Sequence, residues 1–174
     1  MPERASVLGK AELRSRVRGL VLGCGLSDAL GLATEFMTKT EATRAHPLSA
    51  PIKFDQFVRD RHRIRWAEAD FTDDTDQLIV LLTSIGTCEG RVDVHHFGGA
   101  LKTWATVGLP LLNKLPYGLG MIVGRALRSP NFDADPHLAA FVVWLTSICS
   151  LAANGAVMRT AITGVPFFGI LRLS

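Results

Sequence analysis

An all-α fold is the expectation from this sequence, and three observations carry it. Apolar residues recur at three- and four-residue spacing in several segments, candidate caps stand where those segments begin, and no alternating run of strand length appears. Each element follows from one of these signals.

From Lys10 to Leu32, Leu13, Val17, Leu20, Val21 and Cys24 recur at helical spacing, with Arg14, Arg16 and Arg18 on other faces. This reads as an amphipathic helix leading into the core. Gly19, Gly23, Ser27 and Gly31 form a row of small residues along it, where another backbone could approach closely. Thr38 to Asp70 mixes prolines, charges and scattered aromatics without a clear period, which predicts a long connecting loop or lid. Within it, Arg59 to Arg65 holds four arginines and one aspartate, and a solvated face is the simplest reading, with a phosphate contact as the alternative.

A second helix is expected to begin around Asp73 to Thr75 and to run through Leu78, Ile79, Leu81, Leu82 and Ile85, with acids in its first turn suited to the helix dipole. Another should follow the candidate cap Asp93 through Phe97, Leu101 and Trp104. A further one should open at Asp135-Pro136, a cap followed by proline at the first helical position. Leu138 to Met158 carries no charge and is long enough to span a bilayer. Thr146, Ser147, Ser150, Asn154 and Gly155 dilute it, so a buried core helix is preferred to a membrane span.

Composition limits the function classes. Nineteen basic against sixteen acidic residues leave a net charge of +3, too little to make nucleic acid the default partner. Cys24, Cys88 and Cys149 are odd in number and widely spaced, which suits free thiols in a reducing compartment, with Cys24 and Cys149 as small core residues rather than nucleophiles. The charged N-terminus lacks the apolar stretch of a secretory signal, so a cytoplasmic protein is expected. Gly23 to Asp28 half-matches a dinucleotide fingerprint but follows a helical pattern, and no phosphate-binding P-loop sequence is present. His95 and His96 are neighbours on different sides of a helix and make no catalytic set.

The sharpest local feature is Phe71-Thr72-Asp73-Asp74-Thr75-Asp76, where three carboxylates and two hydroxyls crowd a helix start. Adjacent carboxylates repel, and a divalent cation is one way to offset that cost. Hard oxygen donors favour magnesium, manganese or calcium, while capping and dipole stabilisation is the equally weighted alternative. Asp28 and Glu35, seven apart, would share a face if their helix persisted through Gly31; each alone reads as a surface acid. Tyr117-Gly118-Leu119-Gly120 and Asn154-Gly155-Ala156 are glycine sites where backbone amides could meet a ligand, although plain helix termini explain them as well.

Taken in order, Gly19-x3-Gly23, Ser27-Asp28-Ala29-Leu30-Gly31-x3-Glu35, Phe71-Thr72-Asp73-Asp74-Thr75 and Asn154-Gly155-Ala156-Val157-Met158-Arg159 resemble the ADP-ribosylglycohydrolase family from about Leu13 to Pro166. The resemblance implies an orthogonal multi-helix bundle, a site for two magnesium ions, and hydrolysis of the glycosidic bond joining ADP-ribose to a protein or small molecule. It implies metal contacts from Thr72, Asp73 and Asp74, and catalytic roles for Glu35, Asp73 and Asp74. Gly118, Gly120, Asn154, Gly155 and Met158 would then line the ADP-ribose site. Neither a nucleic-acid nor a membrane partner is expected.

Two departures qualify this. Ser27 stands where the family usually has glycine, and the GDxDT-like motif that completes the family's metal site is not found. The expectation is therefore a single, C-terminally incomplete domain, prone to self-association through exposed core, either a hydrolase by family or a noncatalytic ADP-ribose binder.

Overall fold

In the computed structural model, which describes residues 9–47 and 49–165, five α-helices surround a central sixth. They are α1 (Lys10–Gly31), α2 (Lys39–Ala45), α3 (Asp73–Thr87), α4 (Val94–Val107), α5 (Met121–Leu127) and α6 (Pro136–Thr146). Among the described residues no sheet forms, and the single bridge Leu109–Lys114 only closes a loop. The all-α expectation holds.

Helix α3 is central because two of its faces are apolar. Leu78, Leu81 and Ile85 pack with Ile162 against Val17, Leu20, Val21 and Cys24 of α1. Val80 joins Leu101 and Trp104 of α4, Ala126 and Leu127 of α5, Phe132, and Ala139 and Val143 of α6 in a second cluster. A side chain at Gly98 would meet the Pro136 ring at 3.3 Å and the Phe132 ring at 3.4 Å, so glycine there lets α4 lie close to the start of α6. The expected caps are in place: Asp93 accepts from the His96 amide at 2.8 Å, and Asp135 accepts from the Leu138 amide at 2.9 Å ahead of Pro136.

Several expectations require correction. The segment Thr38 to Asp70 is not only loop, because Thr38 and Glu41 form a reciprocal capping box that starts α2. Arg63, placed on a solvated basic face by sequence, is only 2% exposed. Its Nε donates to the carbonyls of Leu32 at 2.8 Å and Ala33 at 3.1 Å, and its guanidinium also reaches the Glu35 carbonyl. It thereby satisfies carbonyls that the end of α1 leaves without helical partners. The small-residue row is not a contact face, since a side chain at Gly19, Gly23 or Gly31 would meet nothing within 4 Å. The close approach is instead at Gly25, 3.5 Å from the Thr75 methyl.

The uncharged stretch from Leu138 is not one buried helix. Helix α6 stops at Thr146, and Ile148 and Cys149 turn the chain with positive φ of 56° and 54°. It buries Pro136, Ala139 and Val143 and leaves Phe141, Trp144 and Leu145 exposed. No helix among the described residues is long and apolar enough to cross a membrane. Cys24 is half-buried as a small packing residue, whereas Cys149 is exposed. The N-terminal residues Met1 to Ala5 and the tail Phe167 to Ser174 lie outside the described residues.

One buried polar pair couples α3 to α4: the Trp104 indole donates to Asp76 Oδ2 at 3.1 Å, and both residues are almost fully buried. Asp76 Oδ1 has no hydrogen-bond partner, and Lys114 Nζ stands 3.7 Å away. Removing the indole donor strips a buried carboxyl of its one good bond. Trp104→Phe should therefore lower unfolding free energy by about 2–3 kcal/mol, measured by urea denaturation.

Candidate functional site

The first turn of α3 meets the end of α1 through one carboxylate. Asp28 Oδ1 accepts the Thr72 hydroxyl at 2.8 Å, while Oδ2 accepts the Thr72 amide at 2.9 Å, the Thr75 amide at 3.1 Å and the Thr75 hydroxyl at 2.7 Å. Thr72 is also the N-cap, its hydroxyl accepting from the Asp74 amide at 3.3 Å. Both residues flanking the Asp73-Asp74 pair in Thr72-Asp73-Asp74-Thr75 are thus pinned to α1.

The two central carboxylates leave this anchor in different directions. Asp73 Oδ2 accepts from the Gln77 amide at 3.1 Å, and Gln77 in turn accepts from the Arg159 guanidinium. On its other side stands the loop of Gly118 and Gly120, with φ of 78° and 71°. A side chain at Gly118 would lie 2.8 Å from Asp73 Oδ1, so only glycine suits both the backbone and the space. Asp74 faces a cavity of about 490 Å³ and accepts from the Asn154 side-chain amide at 3.2 Å.

That cavity is lined by Asp28, Glu35, Thr72, Asp74, Asn154 and Met158 among others. Helix α1 ends at Gly31, so Asp28 and Glu35 do not share a helix face, yet the turn after it brings Glu35 back to the same cavity. Gly155 is one step behind the lining, packed near Val123 and Met158. Gly118 and Gly120 border Asp73 rather than this cavity.

Electrostatics follow from crowding. Burial pushes the Asp73 carboxyl up to about 7, with repulsion from Asp74, Glu35 and Asp28 adding to it. Burial also raises Asp74 to about 6, with Asp28 and Glu35 contributing and Asn154 opposing. Asp76, the third acid of the motif, turns away from the site into the core and is raised to about 6 chiefly by burial.

Sequence reasoning missed several groups. His62 bonds Glu35 through Nε2 to Oε2 at 2.7 Å, its ring held edge-on between Phe36 and Trp66. Its signal was only a histidine in a basic loop. Arg63 fixes the backbone that carries Glu35, and Gln77 and Arg159 support Asp73 from behind. Lys114 sits between Asp70 at 3.4 Å and Asp76, over the ring of Phe71, bracing the strand-like approach to Thr72.

The donor chemistry suits a hard cation, but the arrangement does not complete a site for one. Among the described residues no group of three or more His, Cys, Asp or Glu side chains gathers to hold a metal ion. Asp28 is saturated by four donors, Glu35 is bonded to His62, and Asp73 and Asp74 have separate polar partners.

Among known families, the model described as ADP-ribosylglycohydrolase matches residues 9–172. No curated protein and no solved structure matches the chain.

Two outcomes are expected. Asp28→Asn cannot accept four donors at once and should cost about 2–3 kcal/mol in urea unfolding. Asp73 and Asp74 bind protons more tightly folded than unfolded, so their contribution to stability falls as pH rises from about 4 to 7. Asp73→Asn should accordingly raise the thermal midpoint at pH ~7.5 by about 3–6 °C, with a much smaller gain at pH ~5, followed by differential scanning fluorimetry.

Proposed function

Because the chain belongs to the ADP-ribosylglycohydrolase family, we propose that the cavity between the end of α1 and the start of α3 binds ADP-ribose, free or attached to a protein. On this reading the described residues form a binding site rather than a complete hydrolytic centre. The observation that carries it is the meeting of Glu35, Thr72, Asp74, Asn154 and Met158 around one cavity, from chain segments far apart in sequence.

The chemistry supports a ribose-bearing ligand. Sugar hydroxyls donate to carboxylates, and Asp74 and Glu35 present two at the cavity wall. Asp74, its carboxyl raised to about 6 chiefly by burial, is mostly ionised at neutral pH and accepts such hydroxyls. The Asn154 side chain, fixed by Asp74, lines the cavity beside it, and Met158 adds a deformable apolar surface for the remainder of the ligand.

Magnesium is the cofactor that family membership implies, and Thr72, Asp73 and Asp74 carry the right kind of oxygen. Two carboxylates with separate partners do not make the ligand set such an ion needs, and no step of this reading runs through a metal. The noncatalytic reading is therefore preferred to turnover.

Isothermal titration of ADP-ribose into the 174-residue chain tests it, in magnesium and again in EDTA. Binding should occur in both buffers, and Asn154→Ala should weaken it about three- to tenfold by removing one wall and one hydrogen bond. An ADP-ribosylated peptide should be bound without release of ADP-ribose. No binding by folded protein would overturn the ligand assignment, and magnesium-dependent release would restore the hydrolase.

A further inference from the structure

Glu35 belongs to two cavities. Beyond the Glu35–His62 pair lies a second one of about 560 Å³, formed where α2 faces the segment from Val58 to Arg63. Its floor is partly apolar: Met37, Ala45 and Val58 line it, and Phe36, 85% exposed at a φ of 58°, stands at its edge.

The charges on its wall are unevenly committed. Glu41 is taken up by the amide and hydroxyl of Thr38, both at 2.7 Å. Asp60 accepts the amides of His62 at 3.0 Å and Arg63 at 2.8 Å, and also pairs with the Arg63 guanidinium. Glu35 is held by His62. The side chains of Arg44 and Arg61 line the same cavity and enter no hydrogen bond or ion pair among the described residues, Arg44 adding only a lesser electrostatic attraction to Glu41. The lining acids are satisfied within the protein, while two guanidiniums are left to face the opening.

We propose that this second cavity receives the protein side of an ADP-ribosylated partner, and that it selects an acidic segment next to the modified residue. The inference rests on ADP-ribose occupying the first cavity. With the ribose end at Asp74 and Glu35, the attached polypeptide leaves over the Glu35–His62 pair, and the adjoining cavity is the space it enters. Guanidinium forks match carboxylates in geometry as well as charge. Phe36, Met37 and Val58 offer apolar contact to a residue between two acids.

The test uses the 174-residue chain and three ligands: ADP-ribose, a peptide carrying ADP-ribose through a non-hydrolysable linkage with flanking Asp and Glu, and the same peptide with flanking Lys. The acidic conjugate should bind about five- to tenfold more tightly than ADP-ribose, and the basic one no more tightly than ADP-ribose. The preference should shrink in about 0.5 M salt. Arg44→Gln with Arg61→Gln should abolish it, and Arg44→Glu with Arg61→Glu should turn it toward the basic conjugate, with affinity for ADP-ribose unchanged. Circular dichroism establishes that each variant is folded, and the glutamine pair serves if charge reversal unfolds the chain.

Equal binding of the two conjugates by wild type, or a preference that survives both substitutions, would overturn the inference, as would displacement of the acidic conjugate by a single-stranded oligonucleotide. Failure of ADP-ribose itself to bind would remove the first-cavity assignment and this inference together. Normal ADP-ribose binding without discrimination removes only this one.

Discussion

The organisation of the site depends on the Asp28 carboxylate. Four donors from Thr72 and Thr75 converge on it, two amides and two hydroxyls, and they come from the first turn of the helix at the centre of the molecule. The N-terminal amides of a helix need acceptors, and an acid there also favours the helix dipole. Supplying that acceptor from α1 rather than from the helix itself locks the two elements in register. The apolar contacts between α1 and α3 set their separation, and Asp28 sets which residues of the turn face outward.

With Thr72 and Thr75 held inward, Asp73 and Asp74 have nowhere to go but to either side of the helix start. Their raised proton affinity is the electrostatic cost of that placement. A fold selected for stability alone would gain by neutralising them. The site retains them with separate polar supports, Gln77 for Asp73 and Asn154 for Asp74, which orient the carboxylates without cancelling their charge.

Much of the architecture is legible in the sequence because it is local. The caps Asp93 and Asp135-Pro136 and the periodicity of α3 are short-range signals, and the helices start where those signals stand. Capping alone would have revealed α2, since Thr38 and Glu41 are three residues apart. What escaped is long-range. Nothing near Arg63 says that its guanidinium will end α1, thirty residues away, and nothing near His62 says that it will meet Glu35. For the same reason Asp28 reads as an ordinary surface acid until the chain is folded. The uncharged run from Leu138 misled for a different reason: hydropathy ignores the turn at Ile148 and Cys149, and α6 buries only one narrow stripe. At the site, motif order brought Glu35, Thr72, Asp74, Asn154 and Met158 to one cavity, whereas no motif foretold the second cavity beside it.

The three tryptophans occupy three distinct environments. Trp104 is buried and hydrogen-bonded, Trp144 is 40% exposed on α6, and Trp66 is buried with His62 at 4.9 Å and Tyr117 at 6.1 Å between ring centres. Trp66 also lies against the Gly118 loop beside Asp73, and through His62 it adjoins the Glu35–His62 pair between the two cavities. Its emission is consequently a built-in optical reporter of the site, quenched or shifted as neighbouring rings move. An iodide-accessible signal from Trp144 and a protected one from Trp104 provide internal references in the same spectrum.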